Sequence, residues 1–176
     1  GLPVDLFQKL VQRLGRPLKE MYMEAWEKGE MSEDSHTATI VLIPKKCKVR
    51  DKCSSYCPIS LLNAEAKIIA KGLANRFWQV IRVLVLPDQK GFMPFGVTRL
   101  NLRWVHNLYG ETQEGEQRVI LSLDANKAFE SIERRYMFAV LVRMGIGPNF
   151  IKWVRLLYRR PRARVKVNGY VSDSFD

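Results

Sequence analysis

The sequence contains no apolar run long enough to cross a bilayer. Residues 83–86 form a run of four, residues 119–123 are apolar except for Ser122, and the run over 136–142 has seven members, whereas a membrane-spanning helix needs about 20. Gly1 also does not begin a signal peptide. We therefore expect a soluble intracellular protein, in the cytoplasm or the nucleus, with no membrane partner.

Cysteine and histidine are scarce. The three cysteines, Cys47, Cys53 and Cys57, lie within eleven residues, and neither His36 nor His106 stands at finger-like spacing from them. Structural zinc usually takes four ligands that include CxxC-type pairs. The pattern disfavours a zinc site and, for an intracellular chain, favours free thiols.

Acidic residues are absent between Arg134 and Ser172, although this stretch holds ten of the 29 lysines and arginines. The remaining 19 basic residues face 18 acidic ones, so nearly all of the net charge of +11 lies near the C-terminal end. Such asymmetry indicates a polyanionic partner. The alternative is a solvated face that keeps the protein soluble.

Two groups of cations are the candidates for nucleic-acid binding. Lys67 and Lys71 share one face of a predicted helix, and Arg159, Arg160 and Arg162 lie at or just after the end of another. These side chains can neutralise phosphates of an RNA backbone.

Hydrophobic residues make up 47% of the chain, and no repeat or low-complexity segment divides it. This composition favours one α+β unit, with a soft boundary near Pro87. We predict a helix over residues 6–14, a second helix from Pro17 to about Gly29, and further helices over 64–78, 100–109, 134–144 and 148–159. Strands are predicted over residues 37–43, 56–62 and 119–123, and a hairpin at Asn168 and Gly169.

Asp124 directly follows the predicted buried strand of residues 119–123. A carboxylate at the end of a strand can hold Mg²⁺, which prefers oxygen ligands, and two such ions support nucleotidyl transfer. An aspartate that merely opens a turn explains the spacing equally well.

Seven separate stretches resemble the reverse transcriptase domain of LINE-type (non-LTR) retrotransposons, in the same order and at suitable separations. They are residues 1–4 (GLPV), 40–46 (IVLIPKK), 56–63 (YCPISLLN), 67–76 (KIIAKGLANR), 87–92 (PDQKGF), 123–129 (LDANKAF), and 157–158 with 165–169 (LY and VKVNG). Together they span almost the whole chain.

The resemblance implies a right-hand polymerase, with residues 1–117 as a fingers-like region and residues 118–176 as the beginning of a palm. Such an enzyme copies an RNA template into DNA from a DNA primer. Its substrates are deoxynucleoside triphosphates and its cofactor is Mg²⁺.

The resemblance also assigns roles by position. Asp124 matches the first metal-binding aspartate, and the Ala125 carbonyl matches a further ligand. Lys127 and Ala128 match residues whose backbone amides meet the triphosphate. Phe129 matches the steric gate that excludes a ribose 2′-hydroxyl, although an aromatic core residue is the simpler interpretation of this phenylalanine alone.

Lys45 or Lys46 resembles the fingers lysine that meets the incoming triphosphate, a role that a point charge suits. Either could instead be an exposed loop lysine. The chain departs from the family at Cys57, where an arginine usually grips triphosphate oxygens, because a thiol offers no bidentate fork. It also departs at Glu130 and Arg134, where the family usually has aspartate and tryptophan.

The family's aromatic-x-Asp-Asp hairpin has no counterpart in the sequence, nor does its glutamine-bearing motif. After Glu133 the only acids are Asp173 and Asp176. We therefore expect a chain truncated within the palm and catalytically incompetent by itself. The alternatives are a non-catalytic RNA-binding module and a decayed retroelement remnant.

Overall fold

A computed structural model describes residues 9–93, 96–110, 119–125, 128–129 and 131–176. The chain splits into two compact units, the first formed by Gly1–Leu73 with Leu141–Asp176 and the second by Ala74–Val140. The elements in chain order are α1 (Val11–Lys28), α2 (Glu33–His36), β1 (Thr37–Pro44), a 3-10 turn (Cys53–Ser55), β2 (Tyr56–Leu61), α3 (Ala64–Leu84), α4 (Thr98–Gly110), α5 (Arg134–Arg143), α6 (Pro148–Leu157), β3 (Arg162–Val167) and β4 (Tyr170–Val171).

The first unit contains a four-stranded mixed sheet of order β2-β1-β3-β4. Strand β1 pairs antiparallel with β2, Thr39 lying opposite Leu61, and parallel with β3, Thr39 lying opposite Arg164. Helices and a mixed sheet in one chain confirm the α+β class. The strands predicted over residues 37–43 and 56–62 are confirmed as β1 and β2.

The predicted hairpin at Asn168 and Gly169 is confirmed between β3 and β4. Both residues have positive φ, 50° and 88°, as a two-residue type I′ turn requires. The chain then bridges back to β3, because the backbone of Phe175 exchanges two 2.8 Å hydrogen bonds with Ala163.

Helix α1 corrects the prediction of a helix that ends before Pro17 and a second that starts there, because Val11–Lys28 is one helix with Pro17 inside it. The φ of proline is compatible with a helix, so the residue removes one backbone hydrogen bond without forcing a break here. The helix ends at Gly29, as predicted. Gly29 has the left-handed φ of 69°, and its N–H donates to the Ala25 carbonyl.

Aromatic side chains join α1 to α6. The rings of Trp26 and Trp153 lie 5.0 Å apart, and Tyr22 meets Trp153 edge-on at 6.5 Å. The Lys152 ammonium lies 3.9 Å from the centre of the Trp26 ring. The Tyr22 hydroxyl donates to the Glu65 carbonyl at 2.8 Å, which ties α1 to the start of α3. Burial, with a smaller contribution from the Glu65 charge, raises the pKa of Tyr22 to about 12.

The second unit corrects the prediction of a buried strand before Asp124. Residues 119–125 have no regular secondary structure, and Val119, Leu121 and Leu123 are 90%, 75% and 82% exposed. A β-branched run favours extended backbone, but a strand also needs a neighbouring backbone to pair with. None of the described strands pairs with this segment.

The predicted loop at residues 87–92 and the helix predicted over 100–109 are confirmed, the helix as α4. The helices predicted near residues 134 and 148 are confirmed as α5 and α6. The predicted division at residues 117 and 118 coincides with neither limit of the compact units, since residues from 141 onward belong with the first 73. The assignment of 1–117 to fingers and 118–176 to palm therefore stays a prediction.

We expect Gly29→Ala to destabilise the first unit by about 1–2 kcal/mol, the cost of a left-handed conformation for an L-residue. An added Cβ would also lie only 3.1 Å from Nη1 of Arg159. Gly72→Ala is the matched control, because Gly72 lies inside α3 with nothing within 4 Å of an added Cβ. It should stabilise by about 0.5–1 kcal/mol. Urea denaturation of both variants measures the difference, and equal effects would contradict the capping role of Gly29.

Candidate functional site

The predicted metal-binding segment is exposed at Asp124 and Ala125. Asp124 is the only carboxylate of residues 119–125. In the described part of the chain, no group of three or more His, Cys, Asp or Glu lies close enough to hold a metal ion. A two-metal centre needs several oxygen ligands. The described residues therefore do not by themselves build the Mg²⁺ site that the resemblance implies.

Phe129, the predicted steric gate, is 75% exposed and contacts one other aromatic ring. The ring of Phe92 meets it edge-on, with centroids 5.8 Å apart and planes at 83°. Phe92 has a positive φ of 59°, unusual for a bulky residue. Ala128, beside Phe129, is exposed in a turn, whereas Lys127 lies outside the described residues.

Lys45 and Lys46 begin the connection between β1 and β2. The Lys45 backbone N–H donates to the Ser55 carbonyl at 2.8 Å, and its ammonium donates to the Ser54 carbonyl at 2.9 Å. Lys46 is exposed and, among described residues, its ammonium has no hydrogen-bond or ion-pair partner. The structure therefore separates two lysines that the sequence left equivalent.

Cys57, which stands in the place of the family's arginine, lies on β2 opposite Ile43 of β1. All three thiols are free and exposed, which agrees with the prediction of free thiols. Lys45, one pair beyond Pro44 and Tyr56, lies near the same end of the hairpin as Cys57.

Lys67 and Lys71 are exposed on α3, in the part of the helix that belongs to the first unit. The three arginines predicted to bind RNA are instead in contact with residues 29–33, which connect α1 to the start of α2. Arg159 donates to the Gly29 carbonyl, Arg160 lies 3.1 Å from the Glu30 carboxylate, and Arg162 contacts the Glu33 carboxylate. RNA binding by these arginines stays a prediction, and a phosphate would have to compete with their internal acceptors.

His36, the last residue of α2, is buried and only 7% exposed. The charges of Glu30 and Arg159 both act on it. Burial lowers its pKa, the Glu30 charge acts in the opposite direction, and the Arg159 charge adds to the lowering. Its Nε2 has no hydrogen-bond partner. Folding therefore makes protonation of this imidazole less favourable than in the unfolded chain.

The predicted site residues fall into two groups. The first unit holds Lys45, Lys46, Lys67, Lys71 and the three arginines, and the second holds Asp124, Ala125, Ala128 and Phe129. Within the first unit, the β1–β2 hairpin that carries Lys45 and Lys46 (the lysine hairpin) shares the sheet with β3, which begins at Arg162. Within the second unit the structure shows that Phe92, which the sequence did not single out as a site residue, contacts Phe129.

The sequence did not reveal the contact of Phe92 or the acceptors of the arginines. Phe92 belongs to the GF pair of a recognised motif, but nothing local to it indicates which ring it meets. Glu30 and Arg160 are 130 residues apart, and charge alone cannot select that pair among the 18 acids and 29 bases of the chain.

The sequence profile of the reverse transcriptase (RNA-dependent DNA polymerase) family matches residues 43–175. The chain therefore belongs to the reverse transcriptase family. The Transposon TX1 uncharacterized 149 kDa protein of Xenopus laevis is 30% identical over 169 residues, which cover 96% of this chain and 13% of that protein. The resemblance to a retrotransposon reverse transcriptase is confirmed.

The chain thus spans about one eighth of the length of the transposon protein that it matches. Neither comparison favours a non-catalytic module or a decayed remnant over an enzyme-derived domain. No described helix is both long and apolar enough to cross a membrane.

We expect the stability of the first unit to depend on His36 as the pH falls. Because its folded pKa is below the ordinary value near 6.5, the unfolded chain takes up the proton first. The contribution of His36 to the free energy of unfolding should be fully present above about pH 6.5 and should decrease as the pH falls below that value.

Urea denaturation at pH 7.5 and 5.5 measures this loss. His36→Gln should lose less stability between the two pH values than the parent, while His106→Gln, at an exposed position of α4, should behave as the parent. An equal loss in His36→Gln would show that other groups cause the pH dependence.

Proposed function

We propose that this chain is part of an RNA-directed DNA polymerase of a non-LTR retrotransposon. The observation that carries the proposal is the family match over residues 43–175, which includes both the lysine hairpin and the segment from Asp124 to Phe129. RNA template, DNA primer and deoxynucleoside triphosphates are the partners that follow from it. Residues 1–117 would contribute fingers and residues 118–176 the beginning of the palm.

Asp124 is the proposed first carboxylate of the catalytic centre, and the Ala125 carbonyl a further oxygen ligand. Bound Mg²⁺ would stabilise the attacking and leaving oxygens of nucleotidyl transfer. The exposure of both residues supports this role, since a ligand must reach metal and phosphate. Lys127 and Ala128 would present backbone amides to the triphosphate.

Phe129 is the proposed steric gate, and its exposed ring leaves it accessible to a sugar. The edge-on contact with Phe92 supports this role, because such a pair contributes about 0.5–1.5 kcal/mol beyond area burial and restrains the ring. A gate must hold its position to exclude one hydroxyl group.

Lys46 is the stronger candidate for the triphosphate contact. The Lys45 ammonium already donates to the Ser54 carbonyl, so binding a phosphate would cost that bond. Lys46 is exposed in the same loop and gives up no such bond. Lys45 then acts by fixing the loop.

The chain purified alone should extend no primer when it is given Mg²⁺, a primed RNA template and deoxynucleotides. Asp124 lacks partner carboxylates in an aromatic-x-Asp-Asp setting, and two-metal transfer needs several. Primer extension on a gel, beside a complete reverse transcriptase, measures this. Template-dependent incorporation that Asp124→Ala abolishes would sink the expectation of inactivity and show that the chain completes its own centre.

Cys57→Arg should tighten binding of a deoxynucleoside triphosphate to the folded chain by about tenfold or more. A charge-assisted hydrogen bond contributes about 1.5–3 kcal/mol, and arginine restores the fork that the family uses. Titration calorimetry with Mg²⁺ present gives the dissociation constant.

Cys53→Arg is the matched control, because it adds the same charge at another exposed thiol of the same hairpin. It should change the dissociation constant much less. Equal tightening by both variants would mean that the hairpin attracts phosphate through net charge only, and no tightening by either would refute the assignment of this hairpin to triphosphate binding.

A further inference from the structure

One face of the sheet in the first unit combines cations with aliphatic side chains. Strand pairing places Thr39 beside Arg164 and Leu61, and Val41 beside Lys166 and Ile59. Side chains alternate between the faces of a sheet, so these six residues share one side. None of them is acidic.

This face is open at both edges of the sheet. On β2, Ile59 is 42% exposed and Leu61 is 47% exposed. On β4, Val171 lies opposite Lys166 and is 49% exposed. Lys166 itself is exposed, while Arg164 is half-buried between them.

The two cations at the centre have no protein acceptor in the part of the chain that the structure describes. Their side chains form no hydrogen bond or ion pair there, and the Nε atoms of Arg164 and Arg162 are both buried without a hydrogen-bond partner. Arg159, Arg160 and Arg162 differ, because each contacts a carbonyl or carboxylate of the same unit. Because neither side chain is engaged within the described residues, both can bind a phosphate without breaking an internal contact.

We propose that this sheet face binds the phosphate backbone of single-stranded RNA through Arg164 and Lys166, with the sugars or bases over Ile59 and Leu61. The proposal rests on the proposed function, since an RNA-copying enzyme must hold a template strand. Alternate residues of a strand stand about 6.6–6.8 Å apart, a spacing that lets the two cations reach successive phosphates. The absence of acids from these six residues favours a polyanion over a protein surface.

The proposal locates the RNA contact differently from the charge count. The basic residues from Arg159 to Lys166 form two groups. Those up to and including Arg162 have acceptors within the first unit, whereas the side chains of Arg164 and Lys166 have none among the described residues. Only cations that neutralise phosphates release counterions and contribute to the salt dependence of binding.

The test uses the purified chain, a fluorescent single-stranded oligouridylate and EDTA, so that neither metal nor chemistry takes part. Anisotropy across a salt series gives the slope of log affinity against log salt. We expect a slope of about −2 to −4 for the parent, and a change of about 1.4 toward zero for the double variant Arg164→Gln, Lys166→Gln. Its affinity at low salt should fall about tenfold.

The matched control is Arg159→Gln, Arg160→Gln, which removes the same charge nearby. It should leave the slope unchanged while lowering the urea midpoint, because it removes internal contacts. Equal slope changes in the two double variants would overturn the proposal, and so would a larger change in the control.

Lys166→Gln alone covers the case in which the double variant does not fold, since Lys166 is exposed and without a partner among described residues. It should shift the slope by about 0.7. An unchanged slope would refute the sheet site, and so would a folded parent that binds no RNA. Neither result would refute the proposed polymerase function, which the Cys57→Arg and Asp124→Ala experiments test separately. A parent that forms dimers through this face, with RNA binding insensitive to Lys166→Gln, also refutes it.

Discussion

The parallel pairing of β1 with β3 is the constraint on which the first unit depends. It joins Thr37–Pro44 to Arg162–Val167, with residues 45–161 between them. Parallel neighbours cannot be joined by a tight turn, and closing so long a connection costs conformational entropy. The Trp26–Trp153 contact and the ion pair of Arg160 with Glu30 lie on the same two ends of the chain and help to offset that cost.

This pairing also separates the basic residues by the contacts that they make. Where the chain leaves α6, its arginines contact Gly29, Glu30 and Glu33, so they stabilise the junction between the two chain ends. Exposed ion pairs of this kind contribute at most about 1 kcal/mol each. Further along β3, the side chains of Arg164 and Lys166 have no acceptor among the described residues. One uninterrupted basic stretch therefore contains two physically different groups.

In the second unit, the residues that match the family's motif at Asp124 and Phe129 are exposed to solvent. Asp124 and Phe129 are exposed, and the apolar residues before Asp124 are exposed as well. A single carboxylate positions a metal only with other oxygen ligands. Phe129, by contrast, already has an aromatic partner in Phe92, so this unit holds the proposed gate in place more fully than the proposed metal centre.

Local sequence determined much of this protein. The α+β class, β1, β2, the type I′ hairpin at Asn168 and Gly169, and the end of α1 at Gly29 follow from side-chain shape, periodicity and backbone freedom within a few residues. The family motifs identified the reverse transcriptase. The tertiary structure decided what depends on distant partners. The run before Asp124 has strand-like residues but no strand beside it among the described residues, and Arg160 found its acceptor 130 positions away. Hydrogen-bond and charge partners are chosen by which surfaces meet, and sequence order does not encode that meeting.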